Sequence, residues 1–451
     1  MRKDIHMKYA AWNGFTASCR QHLPSKVLII ILAVITGLIT GSGAHLLKCL
    51  VAWVSGPMTD GLNPDNANYT LLISPILGIL LTGIFQRYIL QREIFHGVDR
   101  LSKSLAHHRY HLPTDLTYSP ILASSITLGF GGSAGSEGPI AYAGAAIGSN
   151  IGRLFGITPA LTKVMIACGA SAGIAGIFKA PVGGALFSIE VLCMGLSAVA
   201  VIAVFTSSVT AALTAYVWSG CTPDIRFESI APMQWGWMPY VVVLGLFCGL
   251  YSAYYSHIMR FMTHWYSTMG NPWAKNIIAG SIIAVAVFLF PPLYGEGYGF
   301  IDKLLSGDGG DFTNFSLFAS DGAQTMTPIL MAAGILAVKA FATSSTNSGG
   351  GVAGDFAPTL FAGAVAGFLF AATFNTFFMS GLPIGIFVFL GMAAVMAGAI
   401  QAPLMAVFLT AEMASGGSVL LLPLALCAML SYLTVRVLHI FFHHRFRWTR
   451  S

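Results

Sequence analysis

Glu137 stands two residues before Pro139 at the end of GFGGSAGSEGP, and Phe356 stands two residues before Pro358 at the end of SSTNSGGGVAGDFAP. Each stretch leads from glycine-rich polar backbone through a proline into an apolar helix. Proline suits the first turn of a helix, where its missing N–H removes no helical bond. The glycines before it let the chain turn tightly and leave N–H groups open. Gly135, Ser136 and Gly138 on one side, and Gly354, Asp355, Phe356 and Ala357 on the other, therefore belong to two helix starts. Their free donors and positive dipole ends are what an anion stripped of water needs. A carboxylate at Glu137 competes for the same donors when ionised and must leave or be protonated before an anion takes its place, which makes it a gate. Phe356, its counterpart, can close the passage sterically. The plainer alternatives are two loops between ordinary helices, a capping acid facing water and a packing phenylalanine. Irregular backbone at membrane depth is tolerated only inside protein or around a cavity, which favours the site.

These starts need a membrane around them, and the composition supplies the argument. Hydrophobic residues make up 55% of the 451 and charged residues only 9%, with a mean hydropathy of +0.74. Such a chain cannot cover its apolar surface in water. Stretches such as VLIIILAVITGLITG, LLISPILGILLTGIF and SVLLLPLALCAMLSYL are long enough for helices crossing a hydrocarbon core of about 30 Å. The expected fold is an all-α polytopic membrane protein. Residues 1–26 form a cytoplasmic N-terminal segment, 27–442 the transmembrane domain and 443–451 a short basic tail. The first span is expected to stay in place, since no small-residue cleavage site follows it. Arg2, Lys3, Lys8, Arg20 and Lys26 before the first span, and Arg445, Arg447 and Arg450 after the last, put both termini in the cytoplasm. The net charge of +6 sits at these flanks, so lipid headgroups are its partners and nucleic acid is not. The seven cysteines, Cys19, Cys49, Cys168, Cys193, Cys221, Cys248 and Cys427, are scattered without a CxxC pair and read as packing residues. No nucleophile arrangement, metal-ligand cluster or GxxxxGK[ST] loop stands out, so neither an enzyme, a cofactor, a metal nor an ATP-driven pump is expected.

The chain also repeats itself. GASAGIAGIFKAPVGGALFSIE (169–190) aligns without a gap on GMAAVMAGAIQAPLMAVFLTAE (391–412), pairing Gly169 with Gly391, Pro181 with Pro403 and Glu190 with Glu412. Upstream, GSEGPIAYAGAAIG (135–148) aligns on GDFAPTLFAGAVAG (354–367) at nearly the same spacing. Two blocks in one order imply homologous halves, about 95–220 and about 325–440. Duplicated membrane proteins commonly hold substrate near the midplane between the halves, on helices that start inside the membrane. Other ionisable residues in apolar context are Lys179, Glu190, Asp355 and Glu412. Glu190 and Glu412 can mark the ends of equivalent helices. Lys179, opposite Gln401 in the repeat, either raises the local positive potential or snorkels.

The blocks GSEGPIAYAGAAIGSNIGR, ACGASAGIAGIFKAPVGGALFSIE, GGGVAGDFAPTLFAGAVAG and GMAAVMAGAIQAPLMAVFLTAEM resemble, in order, the signature segments of the CLC family of chloride channels and proton-coupled exchangers. The resemblance implies inverted-topology helical repeats with broken, tilted helices around an anion pore, assembled as a homodimer with one pore per subunit. It matches Glu137 to the external gating glutamate and Phe356 to the phenylalanine whose N–H helps hold the central anion. It also marks departures. FHGVD (95–99) replaces GSGIP, so His96 stands where a pore-lining serine is usual. Asp355 replaces an apolar residue, and its carboxylate repels an anion unless it is protonated or turned away. Val191 follows Glu190 where exchangers carry a second, proton-carrying glutamate, and no C-terminal inner-gate tyrosine is evident.

The expected function is transport of chloride or a similar small anion across a bacterial inner or plasma membrane, by channel-like conduction gated by Glu137. The alternative is a proton-coupled antiporter with Glu137 as one proton carrier and Glu190, His96 or water as another. A transporter of another substrate on the same repeat plan is a third reading.

Overall fold

The computed structural model describes residues 24–62, 68–94, 101–102, 105, 107, 110–193, 197–221, 233–306 and 326–447, the last six by backbone alone. The helices in chain order are α1 (Ser25–Thr59), α2 (Thr70–Ile84), α3 (Ser119–Gly129), α4 (Glu137–Leu154), α5 (Pro159–Phe178), α6 (Pro181–Glu190) and α7 (Ala198–Trp218). They continue as α8 (Met238–Ser267), α9 (Pro272–Leu289), α10 (Tyr298–Leu305), α11 (Met326–Ser348), α12 (Phe356–Phe378), α13 (Ile384–Ile400), α14 (Pro403–Met413) and α15 (Leu421–Arg447). Proline in the first turn opens α5, α6, α9 and α14, where the fixed φ favours the helix and no bond is lost. Among the described residues nine helices are long and apolar enough to cross a bilayer. α1, with 35 residues, is about 50 Å long and overshoots a core of about 30 Å unless it tilts. α6 and α14, with 10 and 11 residues, reach only about halfway.

The chain folds as two compact units. The first comprises Met1–His45, Val98–Pro120 and Ile140–Thr222, and the second Leu46–Gly97, Ile121–Pro139 and Pro223–Ser451. In the first unit α4 meets α5 backbone to backbone. A Cβ built on Gly144 would fall 2.1 Å from the Gly169 carbonyl oxygen, and one on Gly169 would fall 1.8 Å from that of Gly144. Only glycine fits such a crossing, which in lipid rests on close packing and not on exclusion of water. α5 then stops at Lys179, whose φ of 54° is left-handed, and Pro181 starts α6.

The second unit uses the same local geometry. Cβ atoms built on Gly363 of α12 and Gly391 of α13 would each fall 2.3 Å from the other's carbonyl oxygen. α13 stops at Gln401, with φ 64°, before Pro403 starts α14. The repeated residues thus have matching jobs: paired glycines let two helices touch, and a left-handed residue followed by proline breaks a helix into two. α5 and α12 are the most enclosed spans, each 83% buried along its most apolar window. Exposed leucines and valines such as Leu38, Leu213, Leu250 and Leu433 make up the outer, lipid-compatible faces.

Candidate functional site

The two glycine-rich turns meet in the second unit. Gly135 N–H donates to Gly354 O at 2.9 Å and Gly354 N–H donates to Gly135 O at 2.6 Å, an isolated antiparallel bridge that ties the start of α4 to the start of α12. A Cβ on Gly354 would fall 2.6 Å from the Gly138 nitrogen, so this approach requires glycine. Glu137 opens α4 and is wholly buried. Its Oε1 accepts from the Ala357 N–H at 3.1 Å and from the Tyr298 hydroxyl at 2.9 Å. Its Oε2 and the Ser136 hydroxyl are buried without a hydrogen-bond partner. The carboxylate also fills the space over Gly135, where a Cβ would lie 1.9 Å from Oε2. A carboxyl group thus sits on a donor at the start of α12, where its ionised form would be stabilised by that helix's positive end.

Two further ionisable residues frame the turns. Glu296 accepts from the Ser136 N–H at 2.8 Å, so a second carboxylate holds a donor of the first turn. Lys339, buried within α11, donates to the Ser133 hydroxyl at 3.0 Å and lies 4.7 Å from the centre of the Phe361 ring. Ser133 N–H in turn donates to Thr346 Oγ1 at 3.1 Å. A cavity of about 560 Å³ reaches Asp355 from the ends of α8 and α15 and the α13–α14 break, with Tyr255, Arg260, Gln401, Arg436 and His439 among its lining. Asp355 precedes α12 but does not cap it with its side chain. Its carboxylate accepts from Asn347 Nδ2 on α11.

The profile of the voltage gated chloride channel family matches residues 78–436. The chain belongs to that family, the CLC proteins. Among relatives, the voltage-gated ClC-type chloride channel ClcB of Escherichia coli is 27% identical over 380 residues, 82% of this chain and 84% of the relative. The H(+)/Cl(-) exchange transporter ClcA of Yersinia pestis is 25% identical over 416 residues, 89% of this chain and 84% of the relative. Among solved structures, a slow cyanobacterial Cl−/H+ antiporter superposes with a TM-score of 0.75 at 22% identity, covering 92% of this chain and 95% of that one, a likeness of fold.

In this CLC protein the expected residues are only partly brought together. Gly135, Ser136, Glu137, Gly138, Gly354 and Ala357 come together, and the donor that meets Glu137 belongs to Ala357, the residue after Phe356. Phe356 opens α12 and is buried. Asp355 is turned aside onto Asn347. Glu190 ends α6 and the half-buried Val191 follows as its C-cap, both in the first unit. His96 and Asp99 lie outside the described residues. Tyr298, Glu296 and Lys339 escaped the sequence reading. Lys339 carried a usable signal, a lone lysine inside an apolar span. Glu296 and Tyr298 sit in YGEGYGF, a glycine- and aromatic-rich interruption between spans.

Proposed function

We propose that this CLC protein carries chloride across the bacterial cell membrane by passive conduction, with Glu137 as the gate. The observation that carries the reading is the Glu137 carboxylate on the Ala357 N–H, because an ionised side chain there holds a donor at the start of α12 that an anion would use. Protonation or withdrawal of Glu137 frees that donor. The anion approaches from the cytoplasm through the basic cavity that ends at Asp355, and neutral backbone donors bind it firmly enough to replace water yet weakly enough to release it. Valine at 191 offers no second proton-binding side chain, which favours conduction over exchange. The working assembly is a homodimer in lipid.

Proton-coupled exchange is the second reading. It is favoured by the complete burial of Glu137 beside Tyr298, since a buried carboxylate that alternates between protonated and ionised forms can carry a proton. Proteoliposomes under a chloride gradient, read with a chloride electrode beside a pH electrode, separate the two. Conduction moves chloride without coupled proton uptake; its rate rises as pH falls, and in Glu137→Gln it is high and nearly independent of pH. A fixed proton-to-chloride ratio, lost in Glu137→Gln, would replace conduction by exchange.

A further inference from the structure

In the second unit, the ends of α2 and α8 and the start of α9 line a cavity of about 220 Å³ that carries several polar side chains and shares no lining residue with the anion site. Gln86, Arg87, Glu93, Thr263, Lys275 and Asn276 are among the residues that line it. α2 continues there as a π-helical turn, Phe85–Ile89, which carries Arg87. Such turns are frequent at functional sites. Most of the lining is internally satisfied. Gln86 donates to Gly350 O and accepts from Ile94 N–H, each at 2.9 Å, and Thr263 shares a 2.8 Å hydrogen bond with Ser348. Arg87 is only partly satisfied. Its Nη2 donates to Pro272 O and to Asn276 Oδ1, each at 3.2 Å, while its Nη1 is buried without a partner. No ion pair among the described residues engages Lys275 or Glu93.

The surroundings set the level of this pocket in the membrane. The Arg87 guanidinium lies 4.4 Å from the centre of the Trp273 ring, and the exposed Tyr88 stacks on Trp273 at 6.4 Å. Trp265 is exposed on the same end of α8. Tyrosine and tryptophan in this setting mark the headgroup layer, and the local excess of Arg87, Arg92, Arg260 and Lys275 marks its cytoplasmic side.

We propose that this pocket binds a phosphate group at the cytoplasmic membrane surface, presented by a phospholipid headgroup or by dissolved phosphate. The partnerless Nη1 of a guanidinium already held through Nη2 offers charge-assisted N–H donors to a phosphate oxygen. The volume exceeds what a bare halide fills. With Glu93 opposing Arg87 and Lys275, the pocket keeps one net positive charge, which suits a singly charged phosphodiester.

Native mass spectrometry of the detergent-purified protein, with thermal unfolding in added millimolar inorganic phosphate, tests this. The wild type is expected to retain a bound phospholipid that the Arg87→Gln/Lys275→Gln variant retains about tenfold less. Lys275→Gln alone should fall between them, and covers the case in which the double variant does not fold. A wild type that holds no lipid but is stabilised by inorganic phosphate, with the variants unaffected, supports the pocket and identifies dissolved phosphate as the source. Equal lipid retention in wild type and variants without a phosphate-dependent difference in Tm overturns the proposal, as does equal stabilisation by bromide.

Discussion

The contest at the site is between one carboxylate and one anion for the same N–H. A hydrogen bond to a charged group contributes about 1.5–3 kcal/mol, so freeing the Ala357 donor changes anion affinity about tenfold or more. Gly135 offers a test that leaves the charge in place. Its missing side chain makes room for Glu137 Oε2, and a Cβ would lie 1.9 Å from that atom. The obstructing atom is the end of a flexible side chain, so the fold can absorb the change while the carboxylate cannot stay. Gly135→Ala is therefore expected to conduct at neutral pH several-fold faster than wild type, with a weaker response to acid, in chloride-flux assays. Unchanged flux and pH response would mean that the carboxylate's seat over Gly135 does not matter. The types and spacing of Glu137, Pro139 and the glycines made this half of the site legible in the sequence. Tyr298, which also holds the carboxylate, was not legible, because its contact joins positions 161 residues apart and no local pattern encodes it.

Helix punctuation was legible where prolines start helices and less so where residues stop them. Lys179 read as a charge in an apolar stretch, raising potential or snorkelling. The structure gives it a backbone job as well: it ends α5 with a left-handed φ of 54°, as Gln401 ends α13 with 64°, and its ammonium lies 5.8 Å from the centre of the Tyr216 ring. A residue with a Cβ is strained there by about 1 kcal/mol relative to glycine. Lys179→Gly is thus expected to keep or slightly raise Tm and to leave chloride flux near wild type. A large loss of flux with Tm intact would restore the electrostatic role. The repeat itself was visible as letters, yet its purpose was not. The aligned glycines Gly144 and Gly169, like Gly363 and Gly391, prove to be helix crossings too close for any side chain.

For the molecule as a whole, hydropathy and charge placement identified a polytopic membrane protein, while the proposed route of the anion needed three dimensions. The cavity ending at Asp355 gathers Arg260, Arg436 and His439 from distant helices. Clefts with an excess of one sign of charge raise the local concentration of the opposite ion, and salt screens the effect over about 10 Å at 0.1 M. Arg436→Glu should therefore slow chloride flux several-fold at low ionic strength and much less at high. A salt-independent effect would assign Arg436 to packing. Gating by Glu137 requires, however, that its carboxylate stand where an anion would bind. The most direct measurement is the structure of Glu137→Gln in bromide, with the halide located by its anomalous scattering. The expected result is a bromide within hydrogen-bond reach of the Ala357 N–H, between the 135–138 and 354–357 turns and absent from wild type at neutral pH. A halide ordered only elsewhere, with these turns intact, would contradict the account.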